Sequence, residues 1–179
     1  VRSSDLIKKS FEFNLLELVS TLFSRVETTE AESISSVRHL LLFFCQQLDS
    51  SEVASLPDLR TLFLRLILVA LQRSGACLVA NDGYIEVIQQ VVCKSIIKNC
   101  ASCLEDHAIM SYGVNCMQTL LVLTPHLIKA HIQTFIHFVV LRLLESKKPS
   151  PECHEVLIEF LVDLLNKPDF SLFLYVNFD

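Results

Sequence analysis

The sequence predicts an all-α fold, and three observations carry the prediction. The 179 residues include only 3 glycines and 5 prolines, too few for the many turns of a sandwich or barrel. Hydrophobic residues make up 51% and charged residues 20%, enough apolar mass for one packed core and too much for a disordered chain. Apolar side chains also recur at three- and four-residue spacing along seven successive segments, the mark of amphipathic helices.

The first segment, about Ser4 to Val26, sets Ile7, Phe11, Leu15, Leu18 and Leu22 on one stripe. The acidic stretch ETTEAESISS reads as a loop that caps the second helix, about Ser33 to Leu48. The third starts at Pro57, a favoured first-turn residue, and runs to about Arg73, where RSGA ends it. Leu59, Leu62, Phe63, Leu66, Ile67, Ala70 and Leu71 share one face of it. Leu64, Leu68 and Val69 add apolar groups elsewhere, so this helix is expected to be buried on more than one side.

The fourth segment covers about Asp82 to Lys98, with Ile85, Ile88, Val92 and Ile96 inward. The fifth runs from about Glu105 to Leu123. Thr124 and Pro125 then read as the cap and first residue of a sixth helix reaching about Glu145. Its inward set is Ile132, Phe135, Ile136, Val139, Val140, Leu143 and Leu144. SKKPSPE is a loop with Ser150 as cap and Pro151 in the first turn of the seventh helix, Glu152 to Leu165. Pro168 forces a turn, and a short apolar tail follows.

Helices of roughly 20 residues, about 40 per pair, lie near the period of armadillo and HEAT repeats. The expected architecture is one domain over residues 1–179, an α-solenoid of about seven antiparallel helices. A compact bundle is the alternative. A central helix buried on two sides favours the solenoid.

Several function classes are disfavoured. Net charge is −5 and the basic residues are scattered, with Lys8-Lys9 and Lys147-Lys148 the only doublets, so a nucleic-acid partner is not expected. The longest apolar runs, LLLFFC and LILVAL, are six residues each, far short of the ~18–20 of a membrane span. VRSSDLIKKS has no compact apolar core of a signal peptide. Seven cysteines, an odd number, fit reduced thiols in a cytosolic setting better than a disulfide framework. The isolated Gly75, Gly83 and Gly113 form no phosphate loop.

CASCLEDH places Cys100, Cys103 and His107 at C-x2-C-x3-H spacing, with Cys93 and Cys116 as the nearest further thiols. Zinc needs four such ligands. Cysteines buried as small hydrophobes in a helix junction are the better reading. Among the six histidines no two stand at i, i+4, and no carboxylate pair suggests acid–base work. No metal, cofactor or active site is expected.

The ending SLFLYVNFD is the most specific stretch. Tyr175, Val176, Asn177, Phe178 and Asp179 resemble the signature box that closes the homology-upstream (HUS) region of large Arf guanine-nucleotide exchange factors. LLELVSTLFSRV is similar to that family's opening helix. LRTLFLRLILVALQRSG and YIEVIQQVVCKSIIKNCAS are similar to its middle helices. LLVLTPHLIKAHIQTFIHFVVLRLLES is similar to the helix pair before the box. The stretch NDGYIEVIQQVVCKSIIKN leans toward the trans-Golgi, brefeldin-inhibited type.

The resemblance implies an armadillo-like fold and a regulatory, non-catalytic role. It implies binding to the N-terminal dimerisation domain of the same parent and control of exchange on Arf or Arl GTPases. The setting it implies is cytoplasmic, peripheral on Golgi or endosomal membranes. The box residues Tyr175, Asn177, Phe178 and Asp179 are then partner contacts or a structural lock, and the exposure of the aromatic rings distinguishes the two. A generic α-solenoid adaptor in another trafficking complex is the alternative.

Overall fold

The computed structural model describes residues 3–25, 31–80, 82–146 and 150–178. These form α1 (Ser3–Ser24), α2 (Ala31–Leu48), the single turn α3 (Ser51–Ala54) and α4 (Pro57–Val79). Next come α5 (Asp82–Val87), a π-helical turn at Ile88–Val92, α6 (Cys93–Ser102) and α7 (His107–Leu123). The chain continues through α8 (Lys129–Phe135), a second π turn at Ile136–Val140, α9 (Leu141–Leu144), α10 (Pro151–Leu165) and α11 (Pro168–Phe178). No strand occurs among the described residues.

The fold is an all-α solenoid of two helical layers. In one layer α1 packs on α4, α4 on α7, α7 on α10 and α10 on α11. In the other, α2 meets the helix over 82–102, which meets the helix over 129–144. The core between them is continuous from Phe23 and Phe44, through Leu66, Ile67 and Leu71 on α4, to Phe135 and Phe160.

Register between neighbouring helices within each layer is regular. Tyr84 Oη donates to Ile34 O, Ser95 Oγ to Cys45 O at 3.5 Å, and Asn99 Nδ2 to Asp49 Oδ1 at 2.9 Å. Each bond joins residues 50 apart, as does the Lys8–Asp58 ion pair at 2.5 Å. The first structural repeat is therefore longer than the roughly 40 residues expected from helix lengths, because α3 and its turns are inserted between α2 and α4.

Several sequence expectations hold. Ser150 caps α10, its Oγ accepting from Cys153 N at 3.5 Å, and Pro151 opens the helix. Leu62, Leu64, Leu66, Ile67, Leu68, Ala70 and Leu71 are all buried, so α4 is covered on more than one side.

Other expectations are corrected. The stripe read from α1 is not the buried one: Ile7, Phe11, Leu18 and Leu22 are exposed, whereas Val19 and Phe23 are buried and Leu15 and Leu16 pack beside them. α2 begins at Ala31, inside the stretch read as a loop. RSGA does not end α4, which continues to Val79. Gly75 instead permits a close approach, since a Cβ there would collide with the Leu123 side chain of α7.

Thr124 closes α7 rather than capping the next helix. Its N–H and its Oγ1 both donate to Leu120 O, at 2.8 and 2.9 Å, and the next helix starts at Lys129. Leu144 is exposed, unlike the other six residues of its predicted inward set. A π turn closes its hydrogen bonds one residue later than an α turn and so rotates the face that follows. The apolar tail after Pro168 is helical, α11.

Candidate interaction surface

The box lies at the end of α11. Phe170 anchors this helix: it is buried, and Lys129 Nζ lies 5.9 Å from its ring centroid. Ser171 Oγ donates to Leu165 O at 2.5 Å and to Lys167 O at 3.2 Å, tying the start of α11 to the end of α10. Tyr175 is 68% exposed and Val176 is 70% exposed. The backbone is helical through Asn177 and Phe178, so the left-handed geometry that asparagine tolerates is not used there. The side chains of Asn177 and Phe178, and all of Asp179, lie outside the described residues.

A second surface escaped the sequence reading. α1 carries two apolar stripes. Leu15, Leu16, Val19 and Phe23 face the core, while Ile7, Phe11, Leu18 and Leu22 face outward. Ile7 is 68% exposed and Phe11 is 64% exposed. Charged groups flank the buried stripe. Lys8 pairs with Asp58, and Glu12 Oε2 lies 3.7 Å from Arg65 Nη1, so α1 docks on α4 through polar as well as apolar contacts. The signal available in the sequence was the presence of two stripes on one helix.

The cysteine candidates do not assemble. Cys100 is buried against Gly113 and its Sγ lies 4.0 Å from Ile109 O. Cys103 Sγ contacts Arg60, and His107 is exposed at the start of α7. Among the described residues no group of three His, Cys, Asp or Glu side chains is placed to hold a metal ion. Burial pushes the thiol pKa values of Cys45, Cys93 and Cys100 up to about 12, and raises that of Cys116 well above its usual value. Burial, with the nearby Lys94 charge second, lowers the pKa of His131. No helix among the described residues is long and apolar enough to cross a membrane.

The family profile for the HUS domain of Mon2/Sec7/BIG1-like proteins matches residues 33–179. The chain belongs to this HUS-domain family. The match takes in nearly all of α2, every helix from α3 to α11 and the whole box, and leaves α1 outside it. The HUS domain is similar to brefeldin A-inhibited guanine nucleotide-exchange protein 4 of Arabidopsis thaliana, at 28% identity over 67% of this chain. It is 27% identical to exchange proteins 1 and 3 of the same plant, over 67% and 65% of the chain. The aligned region is about 7% of each relative's length. No solved structure matches.

Proposed function

We propose that this HUS domain is a regulatory, non-catalytic interaction module of a large Arf guanine-nucleotide exchange factor. It docks the N-terminal dimerisation domain of its own parent and through it controls Arf or Arl activation. It thereby contributes to recruitment of the parent from the cytoplasm to Golgi and trans-Golgi membranes. The observation that carries the reading is the HUS-domain match over residues 33–179, and the outward apolar stripe of α1, where Ile7, Phe11, Leu18 and Leu22 are exposed, supplies a surface for docking. Apolar side chains aligned on one helix face are the usual anchors of helix-in-groove recognition. The exposure of Tyr175 favours contact over locking for the box. Tyr175, Asn177, Phe178 and Asp179 then form the second contact.

The test is calorimetric titration of the purified chain with the parent's N-terminal domain. The expected Kd is micromolar or tighter, about 8 kcal/mol of binding free energy. Phe11→Asp should weaken binding at least about tenfold while leaving the helical circular dichroism unchanged, since buried aromatic anchors dominate such interfaces. No binding at high micromolar concentration, or binding indifferent to Phe11→Asp and Tyr175→Ala alike, would overturn the proposal.

A further inference from the structure

The junction of α4 with the end of α6 holds a cluster that the docking reading does not use. Arg60, in the first turns of α4, is only 8% exposed. Its Nη1 donates to Ser102 Oγ at 3.1 Å and to Cys103 Sγ. Its Nε is buried with no hydrogen-bond partner, and Arg60 joins no ion pair among the described residues.

A guanidinium keeps its charge in proteins. Such a charge withdrawn from water calls for a counter-charge. Of the two side chains to which Arg60 donates among the described residues, Cys103 alone carries an oxidisable sulfur. A neighbouring guanidinium favours the anionic, nucleophilic form of a sulfur. Cys103 is also placed for access: it is the C-cap of α6, with φ −136° and ψ 51°, partly exposed where the chain leaves the helix.

We propose that Cys103 is an oxidant-sensitive modification site, a nucleophilic sulfur held against the buried Arg60 guanidinium and oxidised by hydrogen peroxide ahead of the other cysteines. The sulfur attacks one peroxide oxygen, forming an S–O bond as the O–O bond breaks. The leaving hydroxide takes the thiol proton and departs as water. The sulfur is oxidised to sulfenic acid and the peroxide is reduced. The other thiols are poorer candidates. Cys45, Cys93, Cys100, Cys116 and Cys153 are buried, and burial disfavours their thiolates. Cys77 is partly exposed, like Cys103, and serves as the internal comparison.

The experiment exposes the whole chain to limiting hydrogen peroxide, traps sulfenic acid with dimedone, and maps the adducts by peptide mass spectrometry. Cys103 should be captured roughly tenfold faster than Cys77, the order expected for a cation-activated thiol. Denaturing the chain in urea should abolish the difference. Arg60→Gln should slow Cys103 to the rate of Cys77, and Arg60→Lys should keep most of the preference. Circular dichroism establishes that each variant folds. Equal capture of Cys103 and Cys77 in the native wild type overturns the proposal even if Arg60→Gln fails to fold. So does a preference that survives in urea or in folded Arg60→Gln.

Discussion

Phe170 and Tyr175 stand about one and a half turns apart on α11, and replacing each by alanine separates anchoring from display. Phe170 is buried, with Lys129 at the start of α8 over its ring. Truncating a buried phenylalanine removes its transfer free energy and leaves a cavity, about 3–5 kcal/mol in a closed core. α11 contacts chiefly α10 and can relax toward the space, which places Phe170→Ala at the lower end, about 3 kcal/mol. For a domain of about 150–250 residues, about 2–4 °C of Tm accompanies each kcal/mol, so the melting point should fall by roughly 6–12 °C. Tyr175 is mostly in water already, and Tyr175→Ala should change stability by less than about 0.5 kcal/mol. Thermal melts and urea titrations followed by circular dichroism read both values. If Tyr175→Ala destabilises the chain as much as Phe170→Ala, the box is a structural lock and the contact reading fails.

Two further outcomes follow from the packing. Gly113 lies on α7 where a Cβ would collide with Cys100 Sγ on α6. Gly113→Ala should therefore cost roughly 1–3 kcal/mol from overpacking, although helix propensity alone would favour alanine by about 1 kcal/mol. A stabilised variant in urea titration would refute the close approach, and Cys100→Ala should relieve much of the penalty. The buried thiols predict alkaline sensitivity. Cys45, Cys93 and Cys100 ionise near 9.0 when unperturbed and at about 12 in the fold. Between those values the folded chain holds protons that the unfolded chain has lost. Stability is thus full below about pH 9 and falls as pH rises toward about 12, by about 1.4 kcal/mol per pH unit for each thiol. Urea midpoints at about pH 8, 9 and 10 should show the decline, and Cys93→Ala should make it shallower. A flat profile would refute the burial argument.

Much of the fold was legible because its determinants are local. The spacing on α4 predicted a helix covered on more than one side, and Ser150 with Pro151 predicted the start of α10. The errors occur where two local readings compete. Thr124 next to Pro125 has the form of a helix start, yet its hydroxyl bonds backward to Leu120 O. Gly75 has the form of a helix stop, yet it serves the contact between α4 and Leu123. The second choice is not visible without the neighbouring helix.

By itself the sequence determined that the chain is helical, where most helices lie, and that its ending belongs with the HUS family, now matched over residues 33–179. Helical periodicity, caps and the box are properties of consecutive residues, so they survive being read along a line. Only the tertiary structure decided which of α1's two apolar stripes enters the core, how Arg60 comes to lie against Cys103 across 43 residues, and that Tyr175 is left in water. Burial depends on which surface each helix meets, and a helix with two apolar faces carries no record of which one its neighbour will cover.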